Sequence, residues 1–150
     1  MKLLIIDIEN AMLSWAWRAA QAGHQVRWFV KPEALDREQV GNGFQGVEKI
    51  DNFVPSLKWA DLILLSSNNK YVDRMTSLKA QGFPYFGPTT QSANLEISRK
   101  AGMELLKKVG IEVVPYETFA TMEQAMRHVE KTGERFVFKT MGDNEDKSLT

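Results

Sequence analysis

Met1 to Ile8 is a nearly continuous apolar run rich in Leu and Ile, and behind it Leu13, Ala16, Trp17 and Ala20 recur at helical spacing. A buried strand feeding an amphipathic helix accounts for both patterns. Asn10 suits the helix N-cap and Gly23 the position past its end; Gln25 to Val30 then reads as a second strand, stopping at Lys31-Pro32. The order strand, helix, strand favours a parallel sheet. Asp36 to Gly46 is polar and loosely patterned, and Val47 to Ile50 is a candidate short strand behind it. Asp61 to Leu65 predicts another buried strand, followed by the polar run Ser66-Ser67-Asn68-Asn69 and a helix from about Tyr71 to Gln81. Gly82 ends that helix, and Phe83 to Phe86 supplies one more short strand.

The period changes after Gly87-Pro88, which marks a boundary. Thr89 to Val109 is helical, either continuous or as two helices meeting near Ile97-Ser98. Thr121-Met122-Glu123-Gln124 is a capping box; Met122, Ala125, Met126 and Val129 follow at helical spacing until Gly133. Arg135 to Thr140 reads as a strand ending in a lysine. The fold class is therefore α/β: a Rossmann-like parallel sheet over residues 1–88, then a further αβ segment over 89–150.

Composition narrows the function more than the fold. With 43% hydrophobic and 25% charged residues, the 150-residue chain is an ordinary globular protein. Nineteen basic residues balance nineteen acidic ones, and the balance holds on either side of Pro88. The broad basic footprint of a nucleic-acid partner is missing. Cysteine is absent, which excludes disulfide and thiolate chemistry and leaves any metal to carboxylates, amides or the two histidines. No ligand set for a metal stands out. Asp7 and Glu9 interrupt the first apolar run too early for a signal peptide, and no apolar stretch approaches the ~20 residues of a membrane span. A cytoplasmic setting without membrane partners is expected.

In a parallel sheet, ligands gather at the carboxyl ends of the strands, where loops converge and helix N-termini present free N–H groups. Two polar loops fall there, Asp7-Ile8-Glu9-Asn10 and Ser66-Ser67-Asn68-Asn69. Asn10, Ser66 and Ser67 are the candidate substrate contacts; equally open is that Asn10 and Asn69 cap helices and the serines are solvated turn residues. The glycine-rich turn of a dinucleotide site is absent, as is the Walker phosphate loop. Asp7 and Glu9 are expected to point to opposite faces, which argues against a paired acid and base. His24 and His128 read as surface residues, and of Trp15 and Trp17, on different sides of one helix, at least one is expected to be exposed.

The second half carries a more specific pattern: Phe86-Gly87-Pro88-Thr89, then Ala93, Leu95-Glu96 and Ser98-Arg99, then Gly110-Ile111, Pro115, Thr118-Phe119, and finally Val137-Phe138-Lys139 and Lys147. In order and spacing this resembles the phosphoribosylamine–glycine ligase family of the ATP-grasp enzymes, closely from Phe83 to Lys147 and more loosely over Met1 to Gln81. The resemblance implies a preATP-grasp domain, residues 1–88, and the opening of an ATP-grasp domain, residues 89–150. It implies an ATP-dependent carboxylate–amine ligase of purine biosynthesis acting through an acyl phosphate, with magnesium or manganese accompanying ATP, and small acid and amine substrates.

By the same resemblance Lys139, Arg99 and Lys147 would contact nucleotide phosphates, Arg99 standing where the family has lysine. No catalytic residue is assigned. The family's groups for magnesium and adenine lie downstream, so the chain is expected to be an N-terminal piece of a longer protein, inactive alone and binding no cofactor by itself. Departures fall in the loops. Gly142 to Ser148 holds three carboxylates where the family has glycines, and reads either as an acidic hairpin or as a phosphate flap. Asp7 to Leu13 replaces a glycine-rich segment with arginine and histidine, and Ser66 to Tyr71 replaces a second family loop. These changes leave open a non-catalytic binding or interaction module on the ligase scaffold; a nicotinamide redox domain survives only by analogy of fold.

Overall fold

The structure, a computed structural model, describes residues 1–31 and 39–139. Strand β1 (Lys2–Asp7) leads to helix α1 (Leu13–Gln21), β2 (Gln25–Val30) and β3 (Val47–Ile50). A 3-10 turn (Val54–Ser56), β4 (Leu62–Leu65), α2 (Val72–Ala80) and β5 (Tyr85–Phe86) follow. The five strands form one parallel sheet in the order β3-β2-β1-β4-β5. In register, Leu4 stands beside Arg27 on one flank and Ile63 on the other. A Rossmann-like α/β arrangement is thus what the periodicity predicts and what the chain forms.

The central strand is buried on both faces, which explains its unbroken apolar run. Leu3 and Ile5 face α1, packing with Ala16, Ala19, Val26, Trp28, Val30 and Leu64. Leu4 and Ile6 alternate to the other face and are fully buried. Each such side chain contributes about 1.5–3 kcal/mol of burial. Helix α1 can lie close because alanines line its inner face; Trp15 and Trp17, on different sides of the helix, are both partly exposed, at 44% and 41%. Gly41, at φ +83°, brings its backbone so near the Trp28 ring that a Cβ there would collide with it. On the opposite face of the sheet Phe29 meets Phe53 edge-on with ring centroids 5.0 Å apart.

Helix α3 (Thr90–Ile97) follows, then α4 (Arg99–Lys108) and α5 (Met122–Thr132). The chain divides into two compact units within α3, Met1–Ala93 and the part beginning at Asn94. The segment Gly87-Pro88-Thr89 ends the first unit's sheet in close quarters: Tyr85 Oη donates to the Pro88 carbonyl at 2.7 Å, and a Cβ on Gly87 would stand 2.5 Å from Tyr85 Oη. Thr89 and Ser92 then exchange hydrogen bonds, Thr89 N to Ser92 Oγ at 2.9 Å and Ser92 N to Thr89 Oγ1 at 3.3 Å. Thr90 Oγ1 donates to Asp73 Oδ1 at 2.8 Å, tying the start of α3 to α2.

In the second unit the long helical stretch is two helices, because Ser98 adopts extended backbone and its hydroxyl accepts from Ala101 N as the N-cap of α4. Thr121 caps α5, accepting from Gln124 N, while Gln124 Oε1 accepts from Ala120 N, one residue before the usual partner in a capping box. Neither α4 nor α5 has a fully buried residue. The expected strand over Arg135 to Thr140 is not formed in its described part: residues 134–139 pair with no strand, and Val137 and Phe138 are exposed. A strand needs a partner ladder, and among the described residues none lies beside this run. Part of the Asp36–Gly46 stretch and all of Gly142 to Ser148, including Lys147, lie outside the described residues.

Candidate functional site

The sheet order places its switch point at β1. From there the chain steps outward to β2 and β3, then crosses back to β4 and β5, so the loops after β1 and β4 leave the same edge and diverge. A crevice at that edge is a geometric consequence of the topology. It is present as a cavity of about 100 Å³ lined by Ile8, Glu9, Ala11, Ser66, Ser67, Asn68 and Asn69.

Hydrogen bonds between and within the two loops give the crevice its shape. Ile8 N donates to Ser66 Oγ at 3.0 Å, joining the loop after β1 to the loop after β4. Ser67 organises its own loop: its hydroxyl donates to Asn69 Oδ1 at 2.7 Å and accepts from Asn69 N and Lys70 N at 3.2 and 3.3 Å. The carboxylate of Asp7, 0% exposed, accepts from Met12 N at 2.8 Å, from Trp28 Nε1 at 3.0 Å, from Ala11 N at 3.1 Å and from Glu9 N at 3.4 Å. Glu9, by contrast, is exposed, because β1 ends at Asp7 and the chain bends over residues 8–10, so strand alternation no longer applies to it.

Two residues other than glycine have positive φ among the described residues, Asn10 at 61° and Tyr71 at 59°. One sits in each of the two loops. Such backbone costs of order 1–3 kcal/mol and persists where surrounding contacts enforce it, commonly beside functional sites. Tyr71 is held by its ring, with centroids 5.4 Å from Phe53 and 6.2 Å from Phe29, and Arg74 lies 4.9 Å over the Phe53 ring.

Of the candidates read from the sequence, Ser66 and Ser67 come together on the cavity wall, and Asn10 lies between Glu9 and Ala11, which line it. The helix caps fall elsewhere than expected. Asn10 does not cap α1, whose N-cap is Met12, and Asn69 does not cap α2, whose N-cap is Tyr71; neither cap residue uses a side chain. The Asp7 carboxylate instead organises the loop that leads into α1, accepting from Ala11 N and from the N-cap residue's own N–H, Met12 N. Arg99 opens α4 and Lys139 ends the described chain, both exposed in the second unit, while Lys147 is not described. His128, half-buried, stands between the rings of Phe119 and Phe136, at 5.2 and 5.3 Å between centroids. Among the described residues no group of three or more His, Asp or Glu is placed to hold a metal, and no helix is long and apolar enough to cross a membrane.

No family model matches the chain. Among curated proteins it is 28% identical over 149 residues to phosphoribosylamine–glycine ligase of Escherichia coli O6:H1, covering 95% of this chain and 34% of that protein. It is also 28% identical over 156 residues to the protein of that name from Allochromatium vinosum, covering 95% and 35%. A stretch of 61 residues is 38% identical to the Streptococcus pneumoniae R6 protein of the same name, covering 41% and 14%. The resemblance read from the motifs is therefore borne out, and the chain spans about a third of the length of these relatives. Among solved structures it is similar to N5-carboxyaminoimidazole ribonucleotide synthetase from Thermotoga maritima, with a TM-score of 0.60, 18% identity, and coverage of 85% of this chain and 36% of that one. That likeness shows the fold.

Proposed function

We propose that the chain is the N-terminal portion of an ATP-dependent carboxylate–amine ligase similar to phosphoribosylamine–glycine ligase. The observation that carries this reading is the alignment with those ligases along nearly the whole chain. In the proposal residues 1–88 form the preATP-grasp domain and 89–150 open the ATP-grasp domain. A substrate carboxylate attacks the γ-phosphoryl group, ADP leaves, and an amine displaces phosphate from the acyl phosphate. Arg99, Lys139 and Lys147 supply positive charge to the nucleotide phosphates, and Asn10, Ser66 and Ser67 face the small substrate at the switch-point crevice. The described residues offer no cluster of carboxylates for magnesium, so the metal is assigned to the nucleotide that brings it and no step is drawn through it. A cytoplasmic setting belongs to the same reading.

Calorimetry with Mg-ATP on a longer form of the protein tests it. Binding that weakens about tenfold or more in Lys139→Ala is expected, a phosphate contact by a full charge being worth at least ~1.4 kcal/mol. Unchanged affinity removes Lys139 from the site. A second reading, a binding module that keeps the scaffold without the chemistry, is favoured by one observation: the first loop's N–H groups are already bonded to Asp7. ADP release dependent on an acid and an amine would exclude it.

A further inference from the structure

We propose that Asp7 is a built-in anion that holds the place of a ligand phosphate at the loop between β1 and α1, so that the switch-point crevice accepts ligands without a phosphate group there. This rests on the reading of the crevice as the small-substrate site.

Among the described residues, three of the four donors to Asp7 are backbone N–H groups of that loop, from Glu9, Ala11 and Met12. Asn10, in left-handed backbone between two of them, turns the chain so that the N–H groups on both sides of it converge on one carboxylate. Neighbouring N–H groups converging in this way around a left-handed residue form a concave anion nest, and at the start of a helix in a parallel sheet the ordinary guest is a phosphate. Here the guest is covalently part of the chain. The fourth donor, the Trp28 indole at 3.0 Å, fixes the carboxylate from the sheet side, and the group is wholly buried. An incoming phosphate would have to displace it or approach it against like charge.

Among the described residues the rest of the crevice gives no compensation: its lining, Ile8, Glu9, Ala11, Ser66, Ser67, Asn68 and Asn69, contains a carboxylate and no cationic side chain. Neutral hydroxyl and amide groups remain, with one negative charge, a lining suited to a hydroxyl- or amine-bearing ligand.

The test follows the backbone amide resonances of Glu9, Ala11 and Met12 while the folded chain is titrated with inorganic phosphate and, separately, ribose 5-phosphate. In the native chain they are expected to stay unmoved at millimolar phosphate. In Asp7→Ser, which removes the charge and leaves the nest open, the same amides are expected to shift, with affinity for inorganic phosphate at least about tenfold higher. Because Asp7→Ser leaves the Trp28 indole without its acceptor, the double variant Asp7→Ser/Trp28→Phe is measured alongside. Phosphate-dependent shifts at these amides in the native chain overturn the proposal, and so does a folded Asp7→Ser or double variant whose amides do not respond. The native titration decides by itself if neither variant folds. Failure here leaves Mg-ATP binding by the longer form untouched, whereas absent Mg-ATP binding by that form defeats the ligase reading without opening the nest.

Discussion

At the scale of single residues, the Asp7–Trp28 pair carries the largest consequences. Trp28→Phe keeps most of the ring volume but deletes one of four donors to a buried carboxylate. A loss of about 1–3 kcal/mol in stability is expected, read from urea denaturation. Tyr85 gives a second, pH-dependent outcome. Burial pushes its phenol up from 10.0 to about 12, so the folded state keeps a proton that the unfolded chain releases. The contribution is fully present below pH 10 and is lost as pH rises through about 12. Thermal melts between those limits should fall more steeply for the native chain than for Tyr85→Phe. The opposite orientation of Asp7 and Glu9 does not come from alternation, which puts residues two apart on one face; it arises because β1 ends at Asp7 and the chain bends away. The cap was not legible, because a residue-by-residue preference points to Asn10, whereas the carboxylate that serves the loop is five residues before Met12 and reaches it only once the chain has turned back. An acidic residue closing a fully buried strand was the available signal.

At the scale of elements, the breaks between helices are set by side chains that satisfy backbone donors. Ser98→Ala removes the hydroxyl that accepts from Ala101 N at 3.2 Å and should cost about 1 kcal/mol, with α4 helicity by circular dichroism falling first. Around Thr121, the Glu123 carboxyl is held below its ordinary range by its own backbone N–H and by the Thr121 hydroxyl. The strands of the first unit were readable because each apolar run has a neighbour in the sheet. The run Phe136-Val137-Phe138 has the same local preference and forms no strand in the described chain. Preference supplies half of a strand and a hydrogen-bonding neighbour the other half, and only the first is written locally. Likewise α2 starts at Val72 rather than beside Asn69, since Tyr71 is drawn into left-handed backbone by ring contacts with Phe29 and Phe53, residues 18 or more positions away in sequence.

At the scale of the whole molecule, burial is unevenly shared. The sheet of the first unit holds Leu4, Ile5, Ile6 and Ile63 at 0% exposure, while in the second unit no residue of α4 or α5 is buried. Amide hydrogen exchange should therefore be slowest in β1 and β4 and approach unprotected rates in α4 and α5, with the two units exchanging as separate groups. Equal protection in both would contradict the uneven packing. Topology was the most legible feature at this scale, since strand, helix, strand with buried runs leaves few arrangements and puts the crevice at the point where the strand order reverses.

The left-handed turns at Asn10 and Tyr71 also bear on speed. Both rims of the crevice are already shaped by contacts inside the protein, so a small molecule settling there orders little that was not ordered before. Its arrival rate is then governed by diffusion and fit, and differences among ligands are expressed in how long each one stays.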